Sequence, residues 1–417
     1  MRRRIVSVML ITLFVLTSVV GYAAASNPPV RKATLKVFMS FPRFKPQFEQ
    51  YFAKFIEKKK AENVDLTIKL EMPSAEQANQ ILKARLASND APDLFTLHAL
   101  ADIPTFHKAG YLTDLSDQPF VASLFDNVKE IVSYDGKVVA LPLESLAWGY
   151  LYNREIFADL GLAPPETLDE MEYVVETLKA HDVTPFLLSF QESWIPQLMM
   201  ALSLGGTVTS EHPDFVEKMN KGEGSYREVA DVFNIIDLIM ANGTKRPFEV
   251  GSAAGSADFA NGKAAMWVQG AWMAESILKV NPDMQLGVAP LPVSNNVEGT
   301  LINLSVSTSV AVSPTSANQD LAFELLNYLL DETDSAALFE ELKFNPVATF
   351  HDYPVFPWID EAMTYVAQGR AYLDLQLPGA VTDETAKMLQ SYYAKSVTQE
   401  EIIQALDKTW ADANRLR

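Results

Sequence analysis

His98, His107, His181, His212 and His351 are the five histidines, and no two of them stand four apart with a glutamate between. The helical zinc-protease arrangement needs both imidazoles on one face, so it is excluded. The chain has no cysteine, which removes disulfides, zinc–thiolate sites and thiol nucleophiles. Gly251-Ser252-Ala253-Ala254-Gly255 has its glycines at elbow spacing, but the serine is misplaced for a nucleophile and the segment reads as a flexible loop. Gly222 and Gly224 lack a third glycine, and Gly262-Lys263 lacks the rest of a phosphate loop. With 53 acidic residues, a carboxylate pair flanking a glycosidic bond stays open as chemistry, because its separation is not legible in a sequence.

The stronger chemical signal is aromatic. Between Ala257 and Trp272 come a helix end, a turn at Asn261-Gly262, a buried strand at Ala264–Val268, a second glycine at Gly270 and a new helix. That order puts Trp272 just beyond the carboxyl end of a strand, where open α/β sheets bind ligands. An indole face there can cover the apolar face of a pyranose ring. The alternative is a core tryptophan at a helix start. Glu192-Ser193-Trp194 sets an acid beside a second indole after the strand candidate Phe186–Phe190.

The elements that must position these residues alternate between strand and helix, which argues for α/β architecture with largely parallel sheets. Leu35–Met39 is a strand candidate, followed by a helix with Phe44, Phe48, Tyr51, Phe52 and Phe55 on one stripe. Val64–Leu70 alternates like a strand. Ser74 with Gln77 reads as a capping box, and Leu94–Leu97 as a buried strand. Asp135-Gly136 is a hairpin-type turn. Thr167 with Glu170 and Ser316 with Gln319 each read as a helix start, Val306–Val312 as a strand, and Thr382–Asn414 as helical.

At 417 residues the chain is too long for one ordinary core, and two or three domains are expected. The composition, 48% hydrophobic and 21% charged, is that of a globular protein. A net charge of −19 repels phosphate backbones and disfavours nucleic acid as a partner. Arg2, Arg3 and Arg4, the apolar run Ile5–Val20 and Ala23-Ala24-Ala25 read as a secretory signal over residues 1–25. With no cysteine to carry a lipid, the exported chain is expected to be untethered, which points to the periplasm.

Six segments in order resemble the extracellular solute-binding protein family of ABC importers, of the maltose-binding type. They are Gly110-Tyr111-Leu112-Thr113-Asp114-Leu115, Asp135–Pro142, Tyr152–Phe157 with Pro164–Thr167, Gly270-Ala271-Trp272, Ala289-Pro290-Leu291-Pro292, and Val310–Leu330. The resemblance covers nearly all of the chain after the leader. It implies a two-lobed α/β fold with a ligand cleft between the lobes and three hinge crossings, near Leu141–Ser145, Leu291–Asn295 and Ala311–Thr315. One lobe would hold residues 33–142 and 295–312, the other 145–291 and 316–417.

By matched context the resemblance places ligand contacts at Phe41 and Arg43, His98, Glu144, Trp148, Glu192 and Trp194, and Gly270 with Trp272. Each has a structural alternative: Phe41 as sheet-edge packing, Arg43 as a surface cation, Glu144 as a hinge hydrogen-bond acceptor, Trp148 as core, Glu192 as a solvated acid. Two pairs of the maltose type are missing, since Ala101-Asp102 lacks the arginine and Pro42-Arg43 replaces an acid–lysine pair. The resemblance implies a monomer that binds a sugar or oligosaccharide other than maltose, delivers it to a membrane permease, and needs no cofactor or metal. A secreted glycoside hydrolase and the ligand-binding partner of a sensory receptor are the competing functions.

Overall fold

The structure, a computed structural model, describes residues 30–353 and 356–415. The leader expected over residues 1–25 lies outside them. Among the described residues no helix is long and apolar enough to cross a membrane.

The first lobe is built on β1 (Arg31–Phe38), β2 (Val64–Glu71) and β3 (Leu94–Leu97), with β1 parallel to both neighbours. The helix Lys45–Ala61 covers this sheet with Phe48, Tyr51, Phe52 and Phe55 buried, so the aromatic stripe faces the core as its spacing required. β4 (Ser133–Tyr134) and β5 (Lys137–Val138) form a small hairpin. Asp135 and Gly136 both have positive φ, 51° and 75°, the left-handed pair that a two-residue hairpin turn demands.

Two long strands then leave this lobe. β6 (Leu141–Trp148) pairs antiparallel with β11 (Ile302–Val312), and the ribbon runs through both lobes. Leu141 and Leu143 lie in the first core, Leu146 and Trp148 in the second. Val306 and Val310 lie in the first core, Ile302 in the second lobe. The second lobe carries the sheet β10–β7–β9–β8, with β7 (Tyr150–Asn153), β8 (Phe186–Leu187), β9 (Met266–Trp267) and β10 (Leu286–Ala289). Alternation divides its side chains between two faces: Tyr150, Tyr152 and Met266 pack on one, Leu151 and Trp267 on the other. β12 (Ala371–Leu373) pairs with the second-lobe end of β11.

Three passages join the lobes, though two are not where the sequence pointed. The first, in β6, matches. The second is in β11 around residues 303–306, and the third follows Tyr353 of the first core, with Phe356 packed against both lobes and Trp358 inside the second. Residues 316–353, expected in the second lobe, therefore belong largely to the first: Leu321, Leu325, Leu338, Phe339 and Val347 are in its core. The reason is local, because β11 re-enters the first sheet and the helix Gln319–Leu329 lands on that sheet at once. Neither Ser74 nor Ser316 caps a helix through its side chain. The helix Ala75–Ala87 begins without a side-chain cap, and Ser316 Oγ instead donates to Asp93 Oδ1 at 2.5 Å. Thr167 does cap, accepting from Glu170 N at 3.2 Å.

His351 is buried in the first lobe among Phe339, Phe350 and Tyr353. Burial pushes its pKa down to about 4. The unfolded chain takes up a proton near pH 6.5 while the folded one does not, so stability is full above that pH and falls as the pH drops toward 4. The loss is roughly 2–3 kcal/mol. Chemical denaturation at pH 7 and pH 4.5 is expected to show a smaller difference in His351→Leu than in the unaltered protein.

Candidate functional site

The cleft follows from strand register. Along one edge of β11, β3 pairs with residues 309–312 and β12 with residues 302–304. Both strands end facing the unpaired stretch between. His98 follows β3 and Asp374 follows β12, and they meet across the gap with His98 Nε2 3.9 Å from Asp374 Oδ2. The cleft has a volume of about 440 Å³ and is lined from both lobes.

β6 offers Glu144 and Trp148 to the cleft, four residues apart on one strand face. β11 offers Asn303 and Ser305 by the same alternation, then Thr308. That last step breaks the period of two, and the β6–β11 register shifts between Val306 and Thr308 allow it.

Three indoles gather in the cleft. Trp148 and Trp272 meet edge-on with ring centroids 5.1 Å apart, and Trp194 joins them in the wall. Trp272 sits in the turn Ala271–Met273 after β9, before the helix Ala274–Val280, as the glycine spacing implied. Gly270 does not line the cleft, but a Cβ there would stand 2.0 Å from the Trp272 ring. Only glycine lets the indole fold back over its own turn. Glu192 is likewise behind the wall. Its carboxylate accepts from Trp194 Nε1 at 3.1 Å and from Ser252 Oγ at 3.1 Å, at the N-terminus of the helix Ser252–Ala260. It orients the Trp194 indole.

Arg43 enters from the turn Pro42–Phe44 with its guanidinium 4.4 Å over the Phe44 ring. Phe41 beside it packs against Phe44 and Phe344 and also borders the cleft. Burial holds Arg43 below the ordinary guanidinium range, and Glu144, Glu275 and Glu192 oppose that shift, in that order. Glu144 itself is only 2% exposed. His98 caps the helix Ala99–Lys108, its Nδ1 accepting from Ala101 N at 3.4 Å, while Asp102 Oδ2 accepts from His98 N at 2.9 Å. With Nδ1 accepting, the ring proton sits on Nε2, the edge turned to Asp374.

Seven of the nine residues singled out by sequence thus border one cleft, and Glu192 and Gly270 support its walls from behind. Asn303, Ser305, Thr308 and Asp374 are not among the contacts expected from sequence. A strand expected over Val306–Val312 leaves the polar alternation Asn303-Leu304-Ser305 outside it, whereas β11 begins at Ile302. Nothing local marks Asp374, which reaches the cleft only through β12 pairing. Among the described residues no cluster of acids and histidines could hold a metal ion.

The sequence profile of the bacterial extracellular solute-binding proteins matches residues 44–335. The chain belongs to that family. It is a solute-binding protein, not an enzyme. It is similar to the multiple sugar-binding protein of Streptococcus mutans, 27% identical over 66% of this chain and 67% of that one. It is also similar to the melibiose/raffinose/stachyose-binding protein of Bacillus subtilis, 25% identical over 65% of this chain and 64% of that one. The aligned stretches thus span about two thirds of those relatives. In fold it is similar to a Bacillus licheniformis sugar transporter solved with stachyose, with a TM-score of 0.80, 20% identity, and coverage of 92% of this chain and 100% of that one.

Proposed function

We propose that this family member is the ligand-capturing subunit of an ABC importer for a neutral oligosaccharide. The observation that carries the reading is a cleft between lobes with Trp148, Trp194 and Trp272 on one side and the polar strand face Asn303–Ser305–Thr308 on another. Indoles cover the apolar faces of sugar rings, while amide, hydroxyl and carboxylate groups meet their hydroxyls. The sugar-binding names of its relatives support the same class.

Three acids at or behind the cleft are already engaged by hydrogen-bond donors of the protein. Asp102 is held by His98 N, Asp374 accepts from Ser305 Oγ at 2.6 Å, and Glu192 by Trp194 and Ser252. A phosphorylated ligand would have to approach Glu144 and Asp374 as well as Arg43. Phe41, Arg43, His98, Glu144, Trp148, Trp194 and Trp272 are the contacts we assign, with Glu192 and Gly270 positioning the two indoles. Ligand bridging both lobes stabilises the closed form by its differential affinity for that form. The closed monomer, exported to the periplasm after loss of its leader, then docks on a membrane permease.

Intrinsic tryptophan fluorescence titrated with raffinose, stachyose and N,N′-diacetylchitobiose tests this reading, with chromatography of the recovered sugar. A saturable shift with intact sugar is expected from at least one of them. Cleaved sugar, or saturable binding of a polyamine with none of the sugars, would refute it.

A further inference from the structure

Asn303 is 1% exposed, borders the cleft, and its Oδ1 has no hydrogen-bond partner. A buried acceptor left unsatisfied is costly, so the surroundings that impose it need an account. Tyr372 is the register partner of Asn303 on β12, and the Tyr372 hydroxyl is directed to the Ala201 carbonyl at 3.5 Å. With that proton committed, Tyr372 Oη can offer Asn303 only an acceptor, so Oδ1 gains no donor from it.

Tyr372 is fixed in turn. A Cβ on Gly205 would stand 2.2 Å from its ring, so the glycine in the middle of the helix Trp194–Ser210 is what admits the ring there. Asn303 is also cross-strand partner to both Trp148 and Tyr372. A single row across three strands thus holds an indole, an acceptor without a partner and a tyrosine whose hydroxyl is directed elsewhere.

We propose that Asn303 is a specificity-determining residue whose Oδ1 accepts a hydrogen bond from a ligand hydroxyl on the hinge side of the cleft. This rests on the sugar-binding reading above and adds to it. Indole stacking tolerates any ring with an apolar face, whereas an acceptor fixed in this row discriminates by hydroxyl position. Asp374 and His98 Nε2–H, farther along the same β11 edge, extend the acceptor set and add a donor.

The test compares unaltered protein, Asn303→Leu and Asn303→Asp. Calorimetry with raffinose, stachyose and N,N′-diacetylchitobiose gives affinity, and denaturation without ligand gives stability. Leucine matches asparagine in size but accepts nothing. Asn303→Leu is expected to bind at least about tenfold more weakly with an unfolding midpoint unchanged or higher. Asn303→Asp, which keeps an acceptor, is expected to retain most of the affinity. Unchanged affinity in Asn303→Leu overturns this assignment alone. So does a loss that comes with a lowered midpoint or that Asn303→Asp fails to restore, since either marks a packing role. Absence of binding of all three sugars to the unaltered protein overturns the sugar-binding reading and this assignment together.

Discussion

Trp272→Ala is expected to weaken sugar binding by at least about thirtyfold, the scale of a buried aromatic anchor in a binding site. The indole stands at the carboxyl end of β9, edge-on to Trp148, and removing it strips one side of the ring-stacking surface. Gly270→Ala should weaken binding in the same direction without touching the cleft, because its Cβ would displace the indole. Trp272→Phe should fall between, keeping a smaller aromatic face. Calorimetric titration separates the three, and a Trp272→Ala protein that binds like the unaltered one would remove the indole from the site.

The second large effect is on stability. Trp410→Ala is expected to lower the unfolding free energy of the second lobe by about 3–5 kcal/mol, the range for truncating a large buried aromatic. Trp410 is 0% exposed on the helix Gln399–Arg415. It packs edge-on against Phe215 with centroids 6.1 Å apart, lies beside Tyr226, and donates from Nε1 to Asn220 Oδ1 at 3.1 Å. None of these groups borders the cleft, so sugar affinity measured below the transition should be preserved. Urea denaturation followed by far-ultraviolet circular dichroism checks the first expectation, and titration of the same sample the second.

The contrast between these tryptophans shows what a sequence exposes. Trp272 was legible because Asn261-Gly262 and Gly270 bracket a short buried strand, and strand-then-helix geometry dictates where the next side chain stands. The stripe from Phe44 to Phe55 was legible because one helix face repeats every three to four residues. Periodicity reports on neighbours within an element, and it falls silent where function depends on which elements meet. β12 has three residues and no distinctive pattern, yet its pairing with Ile302–Leu304 delivers Asp374 opposite His98. The break in β6–β11 register that turns Thr308 toward the cleft is a property of two strands together. The same limit misplaced the helix Gln319–Leu329, whose apolar face fits either lobe until the course of β11 is known. Ser74 and Ser316 carry capping composition, but Ser316 spends its hydroxyl on Asp93 and Ser74 caps no helix through its side chain.

Ligand that bridges both lobes is expected to close them over the cleft. Small-angle X-ray scattering of the exported chain, with and without saturating stachyose or raffinose, reads this directly. A smaller radius of gyration is expected in the presence of whichever sugar binds, with a smaller decrease in Trp272→Ala at the same concentration. A bound sugar that leaves the radius of gyration unchanged in the unaltered protein would contradict it.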